Sequence, residues 1–264
     1  MANVNTVDLE VKVREIYRNV AQAPNGAYHF ELGRPVAERL GYPADMLDRL
    51  PAGAVESFAG IGYFFDLADL TEGERVIDLG SGSGLDAFAA AQLVGSSGRV
   101  LGVDFTIEQL AKARRIATAG GFDQVEFVEG RIESLPVEGE SFDCVISNGV
   151  INLSPDKERV FAEAARVLRS GGRLAIADVV TELQLTEAIV SNADLWASCI
   201  GGAAQQDAYR HAIEAAGMRV EVIRRNRYEF LSDQARNASA KYGVKSVSVL
   251  AVKPGQTARA ATHK

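Results

Sequence analysis

The segment Val76-Ile77-Asp78-Leu79-Gly80-Ser81-Gly82-Ser83-Gly84-Leu85-Asp86 constrains this chain more than any other, because it carries an apolar strand through a glycine-rich turn into a helix. Gly80, Gly82 and Gly84 lack a Cβ, so the backbone of the turn can be approached closely, and Asp78 sets a carboxylate at the carboxyl end of the strand. A strand, a tight turn and a helix in that order open a βαβ unit. The spacing is G-x-G-x-G. A dinucleotide fingerprint needs its last glycine one place later, where Leu85 stands, and a phosphate-binding P-loop needs a Gly-Lys-Ser/Thr ending that is absent.

From Arg75 to Asp178 short apolar runs alternate with amphipathic stretches, the pattern of a parallel sheet covered by helices on both faces. The spacing predicts strands over 75–79, 99–104, 125–129, 142–147 and 173–178, and helices over 85–94, 107–119 and 157–168. Gly95, Gly120-Gly121 and Gly171-Gly172 stand as breakers where helices should stop. Before this block come a helical stretch over 7–21 and a Gly/Pro-punctuated candidate lid over 24–62. After it, 184–202 reads as inserted helix and loop, 205–216 as a helix, and 219–230 and 246–252 as extended runs. The expected fold is α/β, a Rossmann-like doubly wound seven-stranded sheet whose last two strands form an antiparallel pair. Its expected parts are an N-terminal helical lid segment over 1–73, a nucleoside-binding domain over 74–252 with an insertion at 184–203, and a disordered tail over 253–264.

A chain of 264 residues buries enough surface to need no disulfide or metal staple. The formal charge of −7 argues against a polyanionic partner, so no nucleic acid is expected. Apolar runs fall short of the roughly 20 residues of a membrane span, and the first residues have no basic region followed by an apolar core. No membrane association is expected, and the expected location is the cytoplasm. Cys144 and Cys199 form no C-x-x-C pair, so neither a metal site nor a disulfide is expected. A small molecule is the partner these features leave, and they do not fix the oligomeric state.

In an open α/β sheet the ligand lies beyond the carboxyl ends of the strands, where strand order reverses. The first such end carries Asp78 with Gly80, Ser81, Gly82 and Gly84. The second carries Asp104 and Phe105, where the carboxylate can accept from both ribose hydroxyls or cap the helix starting near Thr106. The third carries Gly130-Arg131-Ile132-Glu133-Ser134-Leu135-Pro136, whose backbone and apolar side chain can hold an adenine, and the fourth carries Ser147-Asn148. Tyr17 can border the same ligand or sit in the core. A nucleoside with an amino group to meet a carboxylate, and no phosphate to cradle, fits this set: S-adenosylmethionine (SAM), with S-adenosylhomocysteine (SAH) as its product.

In this order the segments Val-Ile-Asp-Leu-Gly-Ser-Gly-Ser-Gly, Val-Asp104, Gly-Arg-Ile-Glu-Ser-Leu-Pro and Arg-Val-Leu-Arg-Ser-Gly-Gly-Arg resemble the class I SAM-dependent methyltransferases over about 74–177. The resemblance implies SAM as methyl donor, with Asp78 and the glycine loop near its methionine end, Asp104 on the ribose and Ile132 near the adenine. The chain looks still more like the arsenite methyltransferase branch, through Ser147-Asn148-Gly149-Val150-Ile151-Asn152-Leu153-Ser154-Pro155-Asp156-Lys157 and Leu195-Trp196-Ala197-Ser198-Cys199-Ile200-Gly201-Gly202-Ala203. Tyr17, Leu40-Gly41-Tyr42 and Leu50-Pro51 are similar to that branch's N-terminal region.

That branch holds trivalent arsenic on cysteine thiolates at three positions, which here carry Ile61, Gly149 and Cys199. One thiolate cannot supply the two or three sulfur ligands a soft arsenic(III) centre needs. The expected function is therefore methyl transfer to a small-molecule acceptor by another route. Arsenite methylation with external thiols and a non-catalytic SAM-binding module are the alternatives. Arg131 also departs from the pattern, standing where related enzymes carry an acid for the adenine amino group, which shifts adenine recognition to the backbone and Glu133. His29, flanked by aromatics and able to titrate near neutrality, is the candidate base. Cys199 is a candidate nucleophile, soft ligand or pocket-lining residue, whereas Cys144 reads as core. The acceptor pocket is expected between lid and insertion, lined by Tyr28, Phe30, Phe58, Tyr63, Phe64 and Trp196.

Overall fold

A computed structural model describes residues 4–197 and 199–255. Asn5 starts the first helix by accepting from the Val7 and Asp8 N–H groups at 3.1 and 3.2 Å, satisfying two donors that a helix leaves open. This helix, α1 (Thr6–Gln22), buries Leu9, Val13 and Val20. The Gly/Pro-rich stretch then folds into α2 (Arg34–Leu40), α3 (Ala44–Arg49), α4 (Ala52–Glu56) and α5 (Phe65–Ala68). Val36, Ala37, Leu47 and Phe64 are buried in one cluster with α6 (Leu85–Val94), so this layer is part of the core as well as a cover.

The sheet begins with β1 (Arg75–Leu79), which α6 links to β2 (Arg99–Asp104) and α7 (Ile107–Gly120) links onward to β3 (Val125–Glu129). The chain then crosses back to β4 (Phe142–Asn148), a 3-10 turn (Ile151–Leu153), α8 (Lys157–Val167) and β5 (Leu168–Thr181). Next come α9 (Glu187–Val190), α10 (Ala193–Ala197), β6 (Ala204–Gln205), α11 (Gln206–Ala215), β7 (Arg219–Arg225), α12 (Asp233–Tyr242) and β8 (Lys245–Val252). The strand order is β3-β2-β1-β4-β5-β8-β7, with the two-residue β6 added on β5. Strand β8 is antiparallel to both β5 and β7, which gives the expected closing pair. Order reverses between β1 and β4, whose carboxyl ends pair Leu79 with Ser147.

Alternation along each central strand separates two cores. Val76, Cys144, Ile146, Ala175 and Ala177 face the layer of α2 to α6. Ile77, Leu79, Val145, Leu174 and Ile176 face α8 and α11. Two expectations are corrected in detail. Strand β5 extends back through Gly171-Gly172 instead of breaking there, because Gly171 N–H donates to Lys253 O at 3.0 Å and Lys253 N–H to Gly172 O at 2.8 Å. The extended run over 219–230 stops at Arg225, and α12 follows unforeseen. Of the expected disordered tail, residues 256–264 lie outside the described residues. No described helix is long and apolar enough to cross a membrane.

Candidate functional site

The glycine turn takes the shape its composition allows. Gly80, Gly82 and Gly84 have φ of +71°, +52° and +94°, a region that L side chains rarely adopt. A Cβ at Gly80 would lie 2.5 Å from Val150, and one at Gly84 would lie 2.7 Å from Phe127, so space as well as conformation requires glycine. Ser83 Oγ donates to Gln109 Oε1 at 2.5 Å, and Gln109 Nε2 donates to the Tyr17 carbonyl at 2.8 Å. The turn is thereby tied to α7 and to α1.

Above this turn lies a cavity of about 460 Å³ at the strand reversal. The residues expected to hold a cofactor all line it: Tyr17, Asp78, Gly80, Ser81, Gly82, Gly84, Asp104, Phe105, Arg131, Ile132, Glu133 and Asn148. Helix α1 adds Leu9, Glu10 and Val13, and the segment after α4 adds Ser57, Phe58 and Gly60.

Three buried carboxylates give the cavity its electrostatics. Asp78 is 2% exposed, and its Oδ2 has no hydrogen-bond partner among the described residues. Burial, then the charges of Asp86 and Asp104, hold this carboxyl well above the usual carboxylate range, with the Ala87 N–H acting the other way. Asp86 accepts from Tyr42 Oη at 2.5 Å and from Asn148 Nδ2 at 3.0 Å. Burial pushes it up to about 6 against those two donors. Asp104 accepts from Gly82 N–H at 2.9 Å and Thr106 N–H at 2.8 Å, and burial raises it too. Asp104 thus faces the cavity and ties the glycine turn to Thr106, the residue ahead of α7, without capping a helix N–H.

Asn148 is the joint between the sheet and the N-terminal layer. Its Oδ1 accepts from the N–H groups of Ile61 and Gly62 at 2.8 and 3.3 Å, while its Nδ2 also lies within donor range of Tyr42 Oη and Gly62 O. At the other end of the cavity Arg131 forms an ion pair with Glu10, whose other oxygen meets Arg14 at 3.1 Å. The Arg131 guanidinium holds Glu10 below the usual carboxylate range. Glu133 accepts from Ser154 Oγ at 2.5 Å.

The candidate catalytic residues sit apart from this cavity. His29 is half-buried, edge-on to Phe30 with ring centroids 4.6 Å apart, and it does not line the wall. Cys199, in a left-handed backbone conformation (φ +62°), packs against the cluster that holds Leu153 and Trp196 and does not itself line the wall. Burial pushes its thiol up to about 12, so near neutrality it is a protonated packing group, not a ready thiolate. Cys144 is fully buried in the sheet, and burial likewise takes its thiol up to about 12.

Of the aromatics expected to line an acceptor pocket, Phe58 alone reaches this cavity. Phe64 is buried in the central core, and Trp196 is buried against Leu9 and Val13 of α1, its Nε1 donating to Val190 O at 2.6 Å. Ile61 and Gly149 do meet: a Cβ at Gly149 would lie 3.3 Å from the Ile61 side chain. Sequence reasoning missed Asp86, Tyr42, Glu10 and Gln109. Asp86 carried a local signal, as the acid two residues beyond the last glycine, and Tyr42 stood in a segment resembling the family.

Acids around a glycine turn, at the reversal point of a doubly wound sheet, define a domain for a nucleoside-type ligand with a cationic end. Comparison with known proteins sharpens this class. Residues 70–217 match the family model described as a methyltransferase domain. An arsenite methyltransferase of Halobacterium salinarum is 40% identical over 222 residues, covering 83% of this chain and 56% of that protein. Another from Aquipseudomonas alcaligenes is 45% identical over 155 residues, covering 56% of this chain and 45% of that protein. The crystal structure of an arsenic(III) S-adenosylmethionine methyltransferase from Chlamydomonas reinhardtii superposes with a TM-score of 0.63 at 32% identity, over 84% of this chain and 74% of that one. The chain belongs to the methyltransferase domain family, in its arsenite methyltransferase-like branch. It spans about half the length of the curated relatives it matches.

Proposed function

We propose that this protein is a SAM-dependent methyltransferase that acts on a small-molecule acceptor in the cytoplasm. The observation that carries the reading is the unpartnered, buried Asp78 oxygen beside the turn of Gly80, Gly82 and Gly84, with Asp104 one strand further on. An ammonium group suits Asp78, ribose hydroxyls suit Asp104, and a base lying across the next strand end meets Ile132. The order of these strands, β1, β2 and β3 side by side, supports a cofactor laid across their ends. When bound, SAM supplies a methyl group already activated on a sulfonium.

The protein's own work is then alignment and exclusion of water. Tyr17, Phe58, Val150 and Leu153 are among the apolar and aromatic groups on the cavity wall that can do this. The acceptor is proposed to be something other than arsenite held by several thiolates, because Ile61 and Gly149, close enough that a Cβ on Gly149 would lie 3.3 Å from the Ile61 side chain, carry no sulfur where that chemistry needs it. The arsenite methyltransferases among the relatives favour a second reading, arsenite methylation with thiols supplied from solution. Labelled methyl transfer from SAM to a panel of small thiols, phenols and amines, with arsenite plus glutathione in parallel, separates the two. Turnover only with arsenite and thiol would replace the first reading by the second, and SAM binding without any turnover would favour a non-catalytic module.

A further inference from the structure

The 3-10 turn that follows β4 is held from two sides by opposite charges. Asp178, fully buried near the carboxyl end of β5, accepts from the Asn152 N–H at 3.2 Å and from Asn152 Nδ2 at 2.7 Å. From the other side Lys157 of α8 donates its Nζ to the carbonyls of Asn152 and Ser154, at 3.2 and 2.8 Å. The same ammonium lies 4.9 Å from the ring centre of Trp196, so it also ties the turn to α10 of the insertion. Asn152 thus stands between a buried anion and an inward-reaching cation. What the turn carries is cavity wall. Leu153, Ser154 and Pro155 line the cavity together with Ile132 and Glu133, and the bond from Ser154 Oγ to Glu133 joins the two segments.

Resting on the SAM reading, we infer that Lys157 is a positioning residue for the cofactor: its ammonium, set across Asn152 from Asp178, holds the Leu153–Pro155 wall in place for the nucleoside end of SAM. A neutral amine would leave the two carbonyls with weaker bonds that no charge assists, and the Trp196 ring with no cation. The charged groups facing Lys157 are Asp178 of β5 and Glu133 of the turn after β3. Asp178 is itself held by Tyr209 of α11, whose hydroxyl donates to it at 2.6 Å, and α10 presents the Trp196 ring. Burial lowers the ammonium to about 8 against the pull of those two carboxylates. A ligand that needs the wall in place favours the charged form, so affinity is full below that pH and falls as pH rises through it.

The probe is 5′-deoxy-5′-methylthioadenosine, the nucleoside end of SAM without its ammonium and sulfonium, so that no group on the ligand titrates in the window. Both cysteine thiols lie near 12, outside it. Titration calorimetry of the full chain from about pH 7 to about pH 9.5 should show binding about tenfold weaker at the alkaline end. Heats in buffers of different ionisation enthalpy should show a fraction of a proton taken up near pH 8. Lys157→Met should bind about tenfold more weakly at neutral pH and show no further drop. If that variant does not fold, Lys157→Arg serves in its place: charged throughout, it should show no drop. A flat profile in the unmodified protein, the same drop in the variant, or unchanged affinity in Lys157→Met would overturn the inference and leave the SAM reading standing. Binding of SAM without any binding of methylthioadenosine would overturn it too, because the nucleoside end would then gain nothing from this wall. Failure of the unmodified protein to bind SAM at neutral pH would instead remove the SAM reading itself.

Discussion

Tyr42 donates its hydroxyl to Asp86 at 2.5 Å across 44 positions of chain, joining the N-terminal layer to the first turn of the helix that follows the glycine loop. Tyr42 is 2% exposed, so its phenol has no water to fall back on. Replacing it by phenylalanine removes a hydrogen bond to a charged partner at a cost of about 2 kcal/mol, read as a lower midpoint in urea unfolding. A loss below a few tenths of a kcal/mol would show that the bond does not form.

The raised Asp86 carboxyl sets a direction for pH dependence. Its folded value of about 6 lies above the ordinary range near 4, so the ligand-free fold is favoured by the protonated form. The stability it contributes is complete below about pH 4 and is lost as pH rises through about 6. Binding of a cationic ligand runs the opposite way. The Kd for SAM should tighten by up to about tenfold per pH unit below pH 6 and level off above it. Asp86→Asn should flatten that profile, as fluorescence titration across the range would reveal.

Two glycines with almost the same φ make a controlled pair. Gly80 (φ +71°) has Val150 2.5 Å from a would-be Cβ, while Gly121 (φ +67°), which caps α7, has nothing within 4 Å. Gly121→Ala should cost only its backbone strain, roughly 1 kcal/mol. Gly80→Ala adds overpacking of about 1–3 kcal/mol and should also abolish cofactor binding. Equal losses in thermal unfolding would contradict the crowding argument.

The contact between Ile61 and Gly149 bears on the acceptor. The double substitution Ile61→Cys with Gly149→Cys should create arsenite binding detectable by calorimetry, with a strain cost of about 1–3 kcal/mol for a side chain at the positive φ of Gly149. The unmodified protein should bind arsenite at least about tenfold more weakly. Equal affinity in both proteins would show that the third position, Cys199, or external thiols already suffice.

The sequence displays its local features plainly. The unbroken apolar runs Val76-Ile77 and Cys144-Val145-Ile146 mark strands buried on both faces, and the spacing of Gly80, Gly82 and Gly84 marks the turn, because each signal lies within a few consecutive residues. Relations made across the fold leave no such trace. Glu10 reaches Arg131 over 121 positions and Tyr42 reaches Asp86 over 44, so neither partner can be paired by spacing. The aromatic lid misled for a related reason. Composition marks Phe64 and Trp196 as large and apolar but does not say whether they cover a ligand or the sheet, and here both are spent on the core. The short β6 exists because it pairs with β5 at Val180 and Thr181, a tertiary cause with no local pattern.

The acid-lined cavity is proposed as the SAM site. Calorimetric titration with SAM of the unmodified protein and of Asp104→Ala measures this. One molecule of SAM should bind per chain, and the variant should bind about a hundredfold more weakly, because it loses charge-assisted bonds to the ribose and to the Gly82 and Thr106 N–H groups. No binding of SAM to the folded protein, or the same affinity in Asp104→Ala, would contradict the account.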